Sequence, residues 1–123
     1  MSYIWIAIGG ALGSSLRHFI GDLVTTRYGS GFPLRTMFVN ITGSFVIGIL
    51  ATLLVERHAN PMWSLFLVTG FLGGYTTFSA YSLDAMRLFQ SGNWLAGLFY
   101  VIGSVLLSLL ACALGIALAG ALR

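Results

Sequence analysis

An all-α integral membrane protein of four spans, the third broken in mid-membrane, is what the sequence predicts, and three observations carry the prediction. Of the 123 residues, 58% are hydrophobic and only 7% charged, and the mean hydropathy of +0.94 lies far from the soluble globular class. A span needs about 20 mostly apolar residues, and the stretches 3–26, 34–55, 62–89 and 93–121 satisfy that length. Third, the segment Gly70-Phe-Leu-Gly-Gly-Tyr-Thr-Thr-Phe-Ser-Ala-Tyr-Ser82 gathers glycines and hydroxyls at membrane depth. Non-helical backbone survives there only where it is buried in protein, lines a cavity or meets an ion, and broken membrane helices commonly carry the function. No length is left for a soluble domain, so residues 1–123 are expected to form a single membrane domain.

The first stretch opens Met1-Ser-Tyr-Ile-Trp without a basic n-region and leads into further spans, so it is expected to stay in the mature protein rather than act as a cleaved signal. Within it, Gly9-Gly10-Ala11-Leu12-Gly13-Ser14 is a small-xxx-small pattern that lets helix backbones approach closely. Arg17, His18 and Asp22 follow. For Arg17 two readings stand side by side: a charged tip snorkelling to the interface or a salt link to a neighbouring span.

The second span begins near Arg35-Thr36 and contains Asn40-Ile-Thr-Gly-Ser44, which places Asn40 about two turns into the bilayer. Burying its amide without partners costs several kcal/mol, so it either bonds to another helix or offers an uncharged donor to a permeating anion. The loop after this span, Glu56-Arg-His-Ala-Asn-Pro61, reads as a turn, with Pro61 starting a helix and Trp63 anchoring it at the interface. His18 and His58 lack a second ligand at useful spacing, so neither is expected to hold a metal.

In the third span Gly73-Gly74 precedes Thr76-Thr77, and glycine pairs followed by threonines mark places where helices kink or unwind. Phe78 and Tyr81, at i, i+3, share a face beyond the break, a spacing that packing alone explains. Asp84 and Arg87 share the same interval and are expected to pair at the interface. The fourth span places Tyr100, Ser104, Ser108 and Cys112 at four-residue intervals. These groups either bond back to their own helix or solvate an ion between helices, while Ala111 and Gly115 on a neighbouring face suit close packing.

The net charge of +3 comes from six arginines and no lysine. They stand singly at span ends, which excludes a nucleic-acid patch. Arg17, Arg27, Arg35 and Arg87 flank one face of the four-span layout, while Arg57, Arg123 and the amino terminus flank the other. That orientation bias is too weak for the positive-inside rule to fix one direction of insertion. Cys112 is the single cysteine, so no internal disulfide or cysteine metal cluster is possible. No phosphate loop, catalytic triad or carboxylate pair can be assembled, so an enzyme is not expected. A proton-coupled antiporter needs an embedded carboxylate or histidine, and the only carboxylates, Asp22, Glu56 and Asp84, fall near span ends. A non-transporting assembly subunit would account for the small-residue motifs but leaves Asn40, Ser104 and Ser108 without a purpose.

Taken in order, Gly9-xxx-Gly13-xxx-Arg17, Thr36-xxx-Asn40-xx-Gly43 and Gly73-Gly-Tyr-Thr-Thr-Phe-Ser-Ala-Tyr-Ser82 resemble the Fluc (CrcB) fluoride channel family across all four spans. The resemblance implies a passive, fluoride-selective channel that protects the cell from fluoride, multi-pass in the cell's inner membrane. It further implies an antiparallel, dual-topology homodimer with two fluoride pathways and a structural Na+ at its centre, held by the backbone carbonyls of Gly73 and Thr76. Asn40, Thr77, Phe78, Ser79, Tyr81 and the track Tyr100, Ser104, Ser108 and Cys112 would then line the pathway, with Arg17, Thr36 and Gly74 structural. Two positions depart from the family pattern: Tyr81 stands where phenylalanine is usual, and Cys112 where threonine is common. Hard cations prefer oxygen ligands, and anion selectivity rests on pore diameter and donor field, which suits carbonyls for Na+ and neutral donors for fluoride.

Overall fold

The computed structural model describes residues 2–56 and 58–122; the flanking of one end by Arg57, Arg123 and the amino terminus lies outside them. Every regular element among the described residues is helical: α1 (Ser2–Tyr28), α2 (Leu34–Glu56), α3 (residues 61–75), α4 (Phe78–Gln90) and α5 (Trp94–Leu122). Helices α1, α2 and α5 coincide with the stretches expected as first, second and fourth spans, and α3 and α4 with the two halves of the stretch expected to break.

Local chemistry sets the ends. Asn60 caps α3 by accepting from Met62 N–H at 3.0 Å, with Pro61 in the first turn, where its missing N–H costs nothing. The α3 helix opens as Pro61–Ser64, widens into a π-helix over Leu65–Leu72 and closes with Gly73–Tyr75. A π segment is a wider, poorly bonded helix that often accompanies functional sites. Gly29 and Gly92, both with positive φ, follow α1 and α4, where a left-handed residue ends a helix without a Cβ penalty.

Helices α2 and α5 each carry a stretch long and apolar enough to cross a bilayer, Leu34–Val55 and Trp94–Leu122. Their outer faces, among them Val46, Leu106 and Leu110, are exposed. Apolar surface so extensive is foreign to water-soluble monomers, and the chain is a membrane protein.

Two close approaches build the bundle. Helix α2 packs along α5, where Gly48 faces the Cys112 carbonyl and Gly115 faces the Phe45 carbonyl so tightly that a Cβ on either would overlap backbone. Helix α1 lies against α3: Gly9 and Gly13 sit on the Phe66 and Phe71 carbonyls, and Gly70 and Gly74 on those of Ile6 and Gly10. The small-residue patterns read in the first and fourth spans thus mark both contacts, because without a hydrophobic drive in lipid, helices associate through close van der Waals packing. Buried side chains gather around Met37, Ala85, Leu88 and Tyr100 at one level and Val39, Leu72 and Tyr75 at another. The broken helix contributes to both, Ala85 and Leu88 from α4 to the first and Leu72 and Tyr75 from α3 to the second.

Candidate functional site

Between α3 and α4 the chain runs extended for two residues, Thr76 (φ −86°, ψ 157°) and Thr77 (φ −150°, ψ 121°). The break redirects the backbone donors of the helix. Thr76 N–H still reaches the Leu72 carbonyl at 2.9 Å, and its hydroxyl donates to the same oxygen at 2.8 Å. The next donors go elsewhere. Thr77 N–H, which in an unbroken helix serves the Gly73 carbonyl, donates to Asn40 Oδ1 at 2.8 Å. Ala80 N–H, which would serve the Thr76 carbonyl, donates to Thr77 Oγ1 at 3.1 Å as an N-cap bond. Gly73 and Thr76 are thus two of the carbonyls that lose an i+4 helical donor at the break. The intervening Gly74 carbonyl is approached by Ser14 Oγ from α1 at 3.5 Å.

Asn40 closes this arrangement with a reciprocal bond, its Nδ2 donating to the Thr77 carbonyl at 3.0 Å. Of the two readings open for Asn40, the interhelical bond is present. It leaves the second Nδ2–H uncommitted to that pair, and Asn40 also lines a cleft of about 420 Å³ together with Gly73, Thr76, Thr77, Phe78, Ser104 and Ser108. On the far side of Thr77 lies a second pocket of about 220 Å³, walled by Arg17, His18, Arg35, Ser14 and Thr36. Thr77 borders both cavities, so the Asn40–Thr77 clamp ties the larger, mostly apolar cleft with its few hydroxyls to a residue shared with the basic pocket.

The aromatic residues divide in role. Phe78 is 78% exposed, whereas Tyr81 is held: its hydroxyl donates to the Val101 carbonyl at 2.9 Å. The Tyr81 ring lies 5.5 Å from that of Phe78 and 5.3 Å from that of Tyr100. Both Phe78 and Tyr81 line the larger cleft, and the Tyr81 hydroxyl is committed to the α5 backbone. Ser79 lies outside both cavities, exposed, with its hydroxyl 3.3 Å from that of Thr77.

The track on α5 does not run as one stripe. Ser104 and Ser108 line the cleft, and Ser104 Oγ is fully buried with no hydrogen-bond partner among the described residues. Tyr100 is completely buried and its hydroxyl donates to Asp84 at 3.4 Å. Cys112 is half-buried outside the cleft and flanks the contact with Gly48. The physical reason is helical drift: at 3.6 residues per turn, each four-residue step rotates the side chain by about 40°, so positions 100 and 112 point about 120° apart.

One expected ion pair is replaced, and the salt-link reading of Arg17 has no partner among the described residues. Asp84 does not pair with Arg87; it accepts from Thr36 Oγ1 at 2.7 Å and from Tyr100, because its side of α4 faces the hydroxyls of α2 and α5. Arg17 makes no salt link among the described residues and instead lines the basic pocket. At that end Asp22 is engaged by Arg35 at 3.5 Å and His18 at 3.4 Å. Gly74, read as structural, has no room for a Cβ against Gly10. No cluster of metal-binding side chains occurs among the described residues.

Sequence reasoning missed the Thr36–Asp84–Tyr100 junction, whose members lie 48 and 16 residues apart and share no local pattern. It also missed the Thr42–Tyr75 hydroxyl pair at 2.9 Å, which ties α2 to the last turn before the break. The one available signal was the concentration of hydroxyls in α2.

Residues 4–116 match the family described as CrcB-like protein, Camphor Resistance (CrcB). The chain is 51% identical over 114 residues to the fluoride-specific ion channel FluC of Rhizobium meliloti (strain 1021), covering 92% of this chain and 91% of the relative. It is 46% identical over 120 residues to the protein of the same name from Solibacter usitatus (strain Ellin6076), covering 97% and 98%. The like-named protein of Helicobacter acinonychis (strain Sheeba) is 42% identical over 115 residues, covering 92% and 91%.

Proposed function

Because the chain belongs to the CrcB family, we propose that it is a passive, fluoride-selective channel that lets fluoride leave the cell down its gradient and so limits fluoride toxicity. The protein is a channel, not an enzyme. The observation that carries the reading is the Asn40–Thr77 clamp, in which Asn40 of the larger cleft is bonded to Thr77, the residue that cleft shares with the basic pocket.

Fluoride holds its hydration water strongly, so a pathway must replace that water with short, neutral donors. Positive charge belongs at the mouth, where Arg17 and Arg35 raise the local anion concentration. Fixed in mid-pathway, it would bind the ion too tightly for release. Past the clamp, the second Nδ2–H of Asn40, the unpartnered Ser104 hydroxyl and Ser108 supply neutral donors, and the electropositive ring edges of Phe78 and Tyr81 add contacts that tolerate an anion.

The proposed working unit is an antiparallel homodimer in the cell's inner membrane, each subunit crossing four times through α1, α2, the α3–α4 pair and α5. Exposure of Phe78 and Gly73 beside the break supports a second copy covering that face. A structural Na+ held by the Gly73 and Thr76 carbonyls fits the diverted donors of Thr77 and Ala80, and such an ion would offset unpaired carbonyl charge at membrane depth.

The test is anion efflux from liposomes containing purified protein. Fluoride is expected to leave without an imposed proton gradient while chloride is retained; equal chloride efflux, or dependence on a proton gradient, would refute the reading. In the same assay Tyr81→Phe is expected to keep most of its conduction, because its hydroxyl serves the Val101 carbonyl. Its cost is about 0.5–1.5 kcal/mol of stability for one neutral hydrogen bond. Tyr81→Ile removes the ring edge and is expected to lose most of the flux; wild-type efflux from it would return Tyr81 to a packing role.

A further inference from the structure

We propose that Asp22 is a positioning residue for anion entry, holding the Arg35 guanidinium and the His18 imidazole at the wall of the basic pocket and thereby setting the charge that an incoming anion meets. This rests on the channel reading above.

Three observations carry it. Asp22 uses both oxygens, Oδ1 lying 3.5 Å from Arg35 Nη2 and Oδ2 3.4 Å from His18 Nε2, so one carboxylate joins α1 to the start of α2. Next to it, Gly21 is buried and bare, and a Cβ there would stand 2.6 Å from Arg35 Nη2 and 2.8 Å from Arg35 Nε. The guanidinium is therefore seated on the α1 backbone beside its carboxylate. Finally, Arg17, His18 and Arg35 line the pocket while Asp22 does not; the carboxylate holds residues of the lining without being part of it.

The pair groups are substantially exposed, with side-chain accessibilities of 76% for His18, 58% for Asp22 and 40% for Arg35. Ion pairs in that setting contribute little to folding. Their effect on a charged ligand is different in kind, because the field at a cavity mouth depends on its summed charge and alters entry rates in a salt-dependent way. Asp22 partly neutralises the mouth and fixes where Arg35 points. Removing its charge leaves the pocket more positive by one unit.

The experiment measures initial fluoride efflux from neutral-lipid liposomes at low fluoride, at ionic strengths of about 20 mM and about 500 mM. It compares wild type, Asp22→Asn, Asp22→Glu, Arg35→Gln and the Asp22→Asn/Arg35→Gln pair. Asp22→Asn is expected to raise the low-salt rate about two- to fivefold, with the gain lost at high salt. Asp22→Glu is expected to restore the wild-type rate, and the gain is expected to shrink in the Arg35→Gln background, as coupled positions require. A low-salt rate for Asp22→Asn equal to or below wild type overturns the proposal, as does a gain that persists at high salt or without Arg35. Absence of fluoride efflux from wild type in the same liposomes would instead refute the channel reading itself, so the two failures are distinguishable.

Discussion

Asn40→Asp is expected to abolish fluoride efflux. The amide makes a reciprocal pair with the extended Thr77, donating to its carbonyl at 3.0 Å and accepting from its N–H at 2.8 Å. A carboxylate can keep the second bond but not the first, and it sets a charged oxygen against a carbonyl oxygen. A buried acceptor left without its donor costs about 1–3 kcal/mol, before any repulsion of the permeating anion is counted. Both effects act where Asn40 meets Thr77, the residue that borders both cavities, so a loss of at least about 100-fold, equivalent to roughly 2.7 kcal/mol, is expected in liposome efflux. An unchanged rate would remove Asn40 from the pathway.

The second large effect is expected from Gly13→Ala. A Cβ at this position overlaps the Phe71 carbonyl and lies 2.9 Å from Tyr75 N. These atoms are backbone and cannot rotate away, so α1 must move off α3. Overpacking typically costs 1–3 kcal/mol and occasionally more; with rigid neighbours, about 3 kcal/mol or more is expected, read as loss of monodisperse protein or a large fall in thermal midpoint. Gly31→Ala is the control, since nothing lies within 4 Å of the added atom, and a change within about 0.5 kcal/mol is expected. Similar behaviour of the two variants would show that the α1–α3 contact is not tight.

Much of the fold was legible because its causes are local. Apolar runs of spanning length became α1, α2 and α5; Asn60-Pro61 started α3; and the Gly-Gly-Tyr-Thr-Thr run failed as a helix where its composition said it would. The small-residue spacings found their partners as well, since glycine four residues from glycine leaves the same kind of groove whatever fills it. The site was legible in residue type more than in geometry. Asn40, Thr76 and Thr77 were identified, yet the reciprocal clamp needs the meeting of two helices 37 residues apart. Asp84 was read with its neighbour Arg87, although its donors come from Thr36 and Tyr100.

By itself the sequence determined that the chain belongs in a membrane, where the helix that starts at Pro61 must break, and which uncharged polar groups lie around that break. Those properties follow from transfer energies and backbone preferences carried by neighbouring residues. The tertiary structure alone decided which carbonyls lose their donors, that the Tyr81 hydroxyl is committed to α5, that Tyr100 and Cys112 rotate out of line with Ser104 and Ser108, and that Asp22 rather than Arg17 joins α1 to α2 through charge. Each depends on the rotation of one helix about its axis relative to another. That rotation is fixed by how closely Gly9, Gly13, Gly48 and Gly115 let backbones approach, a relation between distant segments that no local pattern records.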